Sequence, residues 1–565
     1  MNNKQKMVIY QVFPRLFGND NFTNEHNGPI EKNGCGKFSA FSDITLKMIR
    51  KMGFTHVWYT GVIEHATQTD YSDYGIAKDN PAVVKGHAGS PYAIKDYYDV
   101  DPDLADDVKQ RMNEFEALVE RTHAADLKMI IDFVPNHVAR QYHSDAKPAG
   151  IKNLGENDNI HTTFDVNNNF YYIPGQALSS NFNLHSHTPK YEECPAKATG
   201  NDKFDAYPNI NDWYETVKLN YGVDYLSGGQ KHFDPIPDTW HKILDILLFW
   251  CSKNVDGFRC DMAEMVPVEF WNWAIPQVKE KSPKIIFIAE IYNPSEYRNY
   301  LWTGKFDYLY DKVGLYDTLR AIICGEKPAS GITGCWQSVE GIQYQMLNFL
   351  ENHDEQRIAS DFFAKNPWKA IPAMIIASTM NINPIMVYCG QELGESGMDR
   401  EGFSGLDGRT TIFDYWSIES IRKWRNKGKY DGKALTKEQK DLRNFYIKLL
   451  NLCNSEKAIR EGLFYDLMYV NYENPEFNSD RQYVYLRKAD KEILLVIVNF
   501  EDKDVETGIR IPDFIFGFLQ VLPEKTGSGT DLLTKEKTNS KLSPENLFRT
   551  NIKANGGRIY KFKVK

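Results

Sequence analysis

The stretch TWHKILDILLFWCSKNVDGFRCDMAEM, residues 239–265, decides how this chain folds. Its first part is an amphipathic helix, with Ile243, Ile246, Leu247 and Trp250 recurring at three- and four-residue intervals. Its second part, VDGFRCD (255–261), reads as a short strand that is apolar except for Arg259 and Asp261. A helix running straight into a buried strand is the repeat of a parallel sheet covered on both faces. Arg259 and Asp261 are two residues apart, so on a strand their side chains share a face. Buried charges are costly unless they pair or do chemistry.

The same alternation extends in both directions. Seven more strand candidates are MVIYQVF (7–13), HVWYTG (56–61), KMIIDFV (128–134), KIIFIAE (284–290), YLYDK (308–312), YQMLNFL (344–350) and NPIMVYCG (383–390). Helical patterns such as DVKQRMNEFEALVERTHAADL (107–127) lie between them. Eight strand–helix repeats predict an α/β protein built on a (β/α)8 TIM barrel. Asp261 to Glu290 spans one βαβ unit and Glu290 to Asp354 about two, but Asp132 to Asp261 is far too long for one. A subdomain is therefore inserted after the third strand, over 138–235, rich in Asn, Asp, Tyr and His. Within it HTTFDVNNNFYYIPGQAL (161–178) reads as a hairpin about an Asn-rich turn. Strand patterns in RQYVYLRKADKEILLVIVNFED (481–502) and GGRIYKFKVK (556–565) predict a C-terminal all-β sandwich over 460–565. That leaves 1–137 and 236–455 for the barrel. The basic run RKWRNKGKYDGK (422–433) reads as a solvated loop.

Composition narrows the function. A net charge of −9 leaves no basic footprint for nucleic acid. No apolar run approaches the ~20 residues of a membrane span, and MNNKQKMVIYQVF has no signal-peptide pattern, so a cytoplasmic protein is expected. The eight cysteines form no CxxC pair and read as reduced structural thiols. Oligomeric state is left open.

The strands end in polar clusters, where a barrel carries its active site. The third ends DFVPNH (132–137), the fourth GFRCD (257–261), the fifth FIAE (287–290) and the seventh FLENHDEQR (349–357). DFVPNH, GFRCDMAEM, FIAE and ENHDEQR, in this order and spacing, resemble the conserved regions of the α-amylase family, glycoside hydrolase family 13. The inserted and C-terminal domains fit that family's three-domain plan. The resemblance implies Asp261 as nucleophile, Glu290 as general acid/base and Asp354 as transition-state stabiliser. It implies sugar contacts from Tyr92, Asp96, His137 and His353, with Gly390, Gln391 and Glu392 supporting the mouth. Arg259 would keep Asp261 ionised and oriented, and an apolar setting beside Asp261 would raise the pKa of Glu290. Arg357 completes the candidate substrate-binding set, and the loop GFSGLDGRTTIFDYW (402–416) is a candidate lining of outer sugar sites.

The expected activity is retaining cleavage of α-1,4-glucosidic bonds in starch-derived glucans or maltooligosaccharides through a covalent glycosyl-enzyme intermediate. Transglycosylase, α-glucosidase or isomerase chemistry on small α-glucosides is the alternative on the same residues. The chemistry needs no cofactor. Many family members carry a Lys-His pair where this chain has Glu264 and Met265, a departure on the acceptor side. Asn136 falls on a common calcium-ligand position, and a main-chain carbonyl at 265 needs no histidine, so a structural calcium is a candidate.

Overall fold

The computed structural model describes residues 5–179, 190–400 and 402–564. Eight parallel strands run in the order of the predicted ones: β1 (Val8–Val12), β2 (His56–Tyr59), β3 (Lys128–Phe133), β4 (Gly257–Cys260), β5 (Ile286–Ala289), β6 (Tyr308–Tyr310), β7 (Met346–Leu347) and β8 (Ile385–Tyr388). Each pairs with its neighbour, and β8 returns to β1. Closure between β7 and β8 comes from a parallel bridge at Asn348 and Ile385, with the Asn348 N–H donating to the Pro384 carbonyl at 3.1 Å. The result is the (β/α)8 barrel expected from the alternation.

Strand periodicity divides the core in two. Ile9, Trp58, Ile130, Ile288, Tyr310, Leu347 and Met386 point inward and fill the barrel. Their neighbours Tyr10, Val57, Ile131, Phe258, Phe287 and Val387 point outward onto the helices. Between β3 and β4, helix α1 (Asp238–Ser252) buries Ile243, Ile246, Leu247 and Trp250, the residues whose spacing predicts it. Gly257 opens β4 because a Cβ there would lie 2.4 Å from Ile286 Cγ1 on the adjoining strand.

The segment after β3 is held by short antiparallel pairs. His137–Ala139 pairs with Thr216–Lys218, and Tyr172–Ile173 with Ala196–Lys197. The hairpin expected within 161–178 does not form: Tyr172 and Ile173 take a partner more than twenty residues downstream. Ile173, Leu178, Tyr191, Ala196, Ala206 and Tyr214 give this region a small core of its own. That long-range core outweighs the local turn signal.

Among the described residues, seven strands follow the barrel: β9 (Leu463–Asp466), β10 (Gln482–Ala489), β11 (Glu492–Asn499), β12 (Val505–Ile509), β13 (Thr530–Asp531), β14 (Phe548–Ile552) and β15 (Gly556–Lys563). Five form an antiparallel sheet in the order β9-β10-β11-β15-β13, while β12 and β14 form a second pair. Phe548 of β14 packs edge-on against Tyr560 of β15 with ring centroids 5.2 Å apart. The basic run at 422–433 begins as a helix, Glu419–Arg425, because Trp424 is anchored in the core. Among the described residues, no helix is long and apolar enough to cross a membrane.

Candidate active site

β4 delivers Arg259 into the top of the barrel with 1% of its surface exposed. The guanidinium lies over the rings of Trp58, Tyr92 and Tyr310, at 5.3, 5.5 and 5.5 Å from their centroids. Its Nη1 donates to Asp261 Oδ1 at 2.8 Å and lies 3.4 Å from Asp132 Oδ1. Its Nη2 lies 2.8 Å from Glu290 Oε1, an ion pair without hydrogen-bond alignment. One buried cation thus serves carboxylates from the ends of three neighbouring strands, β3, β4 and β5.

Met262, immediately after Asp261, takes a left-handed backbone with φ +42° and ψ +42°. That turn is uncommon for a residue with a side chain. It aims the Met262 N–H at Glu290 Oε2, 2.8 Å away. Glu290 Oε1 accepts the Tyr292 hydroxyl at 2.6 Å. Both oxygens of Glu290 are therefore held before any ligand arrives. Burial raises the Glu290 pKa, Arg259 opposes the shift and Asp261 adds to it. Burial also raises Asp261, against the Arg259 guanidinium. Asp354, one third exposed, is raised by desolvation on the cavity floor and then by Glu290. Asp132 beneath them is pushed up to about 7 by burial, with Arg259 pulling it down.

Asp261, Glu290 and Asp354 all open into one cavity of about 260 Å³ at the strand ends. Tyr92 and His137 line it as well. Tyr92 stacks on His353 with centroids 5.2 Å apart. His353 lies just behind the wall: Nε2 meets the Tyr92 hydroxyl at 2.5 Å and Asp354 Oδ2 at 3.1 Å, while Nδ1 meets Gln11. Burial, and next Arg259, hold His353 well below the ordinary imidazole value, so it is neutral. His137 is lowered to about 4, mainly by burial.

Like His353, two further expected substrate contacts, Asp96 and Arg357, do not line the cavity. Asp96 is fully buried, accepting the N–H groups of Tyr98 and Ala146 at 2.8 and 3.0 Å. It ties the loop after β2 to the insert and has no face toward a sugar. Arg357 is also fully buried, donating to Glu351 Oε2 at 2.9 Å, the Cys389 carbonyl at 3.0 Å and Thr410 Oγ1 at 2.9 Å. It braces the 402–416 loop from behind. Asn136 Oδ1 is occupied by the Lys218 ammonium, 2.6 Å away. Among the described residues, no group of three or more His, Cys, Asp or Glu side chains is arranged to hold a metal.

The remaining wall was not read from the motifs. Lys85 and Glu215 face each other across it at 3.3 Å, and Trp213 packs on His137 at 5.3 Å. Phe403 and Phe413, from the 402–416 loop, line the same cavity as the three carboxylates. Tyr292 had a legible signal, lying two residues beyond Glu290 on the same face; Trp213 and Glu215, deep in the insert, had none. Glu264 does not line the cavity. Its Oε2 accepts the N–H groups of Tyr292 and Asn293, both at 3.1 Å, and so anchors the loop that carries Tyr292.

Comparison with known proteins agrees with this geometry. Residues 11–307, just over half of the chain, match the model of the α-amylase catalytic domain. Alpha-amylase 2 of Dictyoglomus thermophilum is 22% identical over 88% of this chain and 70% of its own length. Alpha-amylase MalA of Haloarcula japonica is 22% identical over 94% of this chain but only 58% of its own length. A cyclomaltodextrinase from Bacillus is 22% identical over 87% of this chain and 72% of its own. The fold matches the α-amylase of Geobacillus thermoleovorans in its acarbose complex with TM-score 0.65 and 18% identity over the whole of both chains. It also matches the noncanonic maltogenic α-amylase AmyB of Thermotoga neapolitana with TM-score 0.63 and 18% identity over 99% of each. A catalytic-domain match of this extent, on a closed barrel with acidic strand ends in one cavity, makes the chain a member of the α-amylase family of glycoside hydrolases.

Proposed function

We propose that the chain cleaves α-1,4-glucosidic bonds of starch-derived glucans or maltooligosaccharides with retention, through a covalent glycosyl-enzyme. Asp261 attacks the anomeric carbon as Glu290 passes its proton to the departing glycosidic oxygen, so one C–O bond forms while another breaks. Water then enters from the vacated side, Glu290 takes its proton, and the Asp261 ester is released. Asp354 meets the ring hydroxyls of the distorted sugar, and Tyr92 and His137 border the same sugar. The observation that carries this reading is Arg259, which touches Asp261 and Glu290 at once. Burial raises both carboxyls and the guanidinium opposes the rise at both, but of the two only Asp261 accepts a hydrogen bond from Arg259, while the Asp261 charge adds to the rise at Glu290. The retaining chemistry needs such a difference between two neighbouring carboxyls.

A second reading, transfer of the glycosyl group to another sugar, is favoured by the wall around Glu290. Tyr292 sits on Glu290, and Met262, Phe403 and Phe413 add apolar surface to the same cavity. Such surface suits a sugar acceptor better than water. The test of both is the reaction of maltoheptaose. Products released first as the α-anomer, with Asp261→Asn slower by roughly a thousandfold or more on an intact fold, are expected. Release of the β-anomer, or retained turnover in the variant, refutes the proposal. Products longer than the substrate select transfer.

A further inference from the structure

Asn136 and the main-chain carbonyl of residue 265 are the two places where the family pattern offers oxygens to a structural calcium. Here both face a lysine. Lys218 ends the strand Thr216–Lys218, opposite His137 in the antiparallel pair that joins insert to barrel. Its side chain is 2% exposed. The ammonium donates to Asn136 Oδ1 at 2.6 Å, pairs with Asp202 Oδ1 at 2.7 Å and reaches the Met265 carbonyl at 3.4 Å. The Tyr225 ring lies on a fourth side, 5.4 Å from Nζ to its centroid.

This geometry suits an ammonium and not a calcium. An ammonium has three protons to place, and three oxygens from three segments receive it. Calcium takes six to eight oxygens at about 2.3–2.6 Å, whereas the position that the ammonium holds has these three, at 2.6, 2.7 and 3.4 Å from Nζ. The Asn136 amide is also committed, since its Nδ2 donates to the Gly200 carbonyl at 2.7 Å and leaves only Oδ1 toward Lys218. A divalent ion on the same oxygens would sit against an ammonium whose side chain is 2% exposed, where repulsion between like charges is poorly screened.

We propose that the Lys218 ammonium is the built-in cation of the joint between insert and barrel, and that this joint takes no calcium. The lysine is a positioning residue for the cavity. Thr216, on its own strand, and Trp213 and Glu215 just before it form one wall, and His137, its cross-strand partner, forms the adjoining one. A metal-dependent joint would loosen on chelation; a covalently attached cation cannot be removed.

The test uses the full-length protein. Elemental analysis after purification in calcium-free buffer is expected to find no stoichiometric calcium. The melting temperature is expected to be unmoved by excess EDTA or by millimolar calcium chloride. A stoichiometric calcium, or a melting temperature lowered by EDTA and restored by calcium, overturns the proposal. Lys218→Met, which keeps the aliphatic stem and removes the charge, is expected to melt lower and to be cut faster by protease in the insert. A melting temperature equal to that of the parent also overturns it. Should the variant fail to fold, the metal content and chelator response of the parent still decide.

Discussion

Asp132, Asp261 and Glu290 share one guanidinium at the floor of the cavity, and Asp354 feels its charge and those of Glu290 and Asp261, so the protonation of each depends on the others. Glu290 must hold a proton to act as the acid, and its pKa lies above the ordinary carboxyl value of 4.5. The alkaline limb of kcat/KM follows that group in the free enzyme. The Tyr292 hydroxyl donates to the Glu290 carboxylate and so lowers the pKa. Tyr292→Phe removes a bond that favours the charged form, so the Glu290 pKa should rise and the alkaline limb should move to higher pH. A pH–rate profile checks this; a limb that stays or moves toward acid contradicts it. At this scale the three carboxylates were legible because each ends a strand recognisable by its apolar run. Asp96 and Arg357 look equally polar in sequence, yet they point down into loops and brace them. A residue type says that a group must be paired; only the fold says with what.

Between β5 and the helix after it, the loop carrying Tyr292 has the N–H groups of Tyr292 and Asn293 held by a single carboxylate oxygen of Glu264. Glu264 belongs to the short turn after β4, so one side chain couples two strand ends. In sequence this residue is only a departure from a lysine found in relatives. In the fold it is the reason Tyr292 reaches Glu290. Glu264→Ala should cost about 0.5–1.5 kcal/mol in urea unfolding, because the part-buried Tyr292 N–H loses its acceptor while the exposed Asn293 N–H turns to water. It should also raise KM for maltooligosaccharides as the Tyr292 wall loosens. Parental stability and KM together would rule out the anchoring role. Barrel strands were legible as elements because parallel strands covered on both faces read as apolar runs. The 161–178 hairpin was misread because two-residue strands carry too little pattern to reveal a partner far along the chain.

Barrel and C-terminal sheet meet across α2 (Ile371–Thr379), whose nine residues are all buried. β15 approaches it so closely that a Cβ on Gly557 would lie 2.7 Å from Ile375 Cδ1. Tyr485 of β10 bonds Thr379 Oγ1 at 2.5 Å. Arg487, fully buried on the same strand, donates to the carbonyls of Ala458 at 3.1 Å, Gly462 at 2.7 Å and Met380. An interface so apolar and so bonded should not open before the domains melt. Calorimetry should therefore show both domains unfolding together. Arg487→Met should lower the stability read from that transition by about 1–3 kcal/mol for each buried carbonyl left unpaired; the Ala458 carbonyl keeps the Gly462 N–H, 3.2 Å away. Two separate transitions in the parent would refute the coupling.

By itself the amino-acid sequence determined the barrel, the insertion after its third strand, the terminal β-domain and the acidic strand ends. These follow from local periodicity and from the rule that a barrel's mouth lies at the carboxyl ends of its strands, both short-range properties of the chain. Tertiary structure decided which polar groups face the cavity and which brace it. It also decided that Glu264 anchors a loop, and that the oxygen of Asn136 receives a lysine from eighty-two residues away. Pairings across such distances leave no periodicity to read, because they are selected by the packing of whole elements.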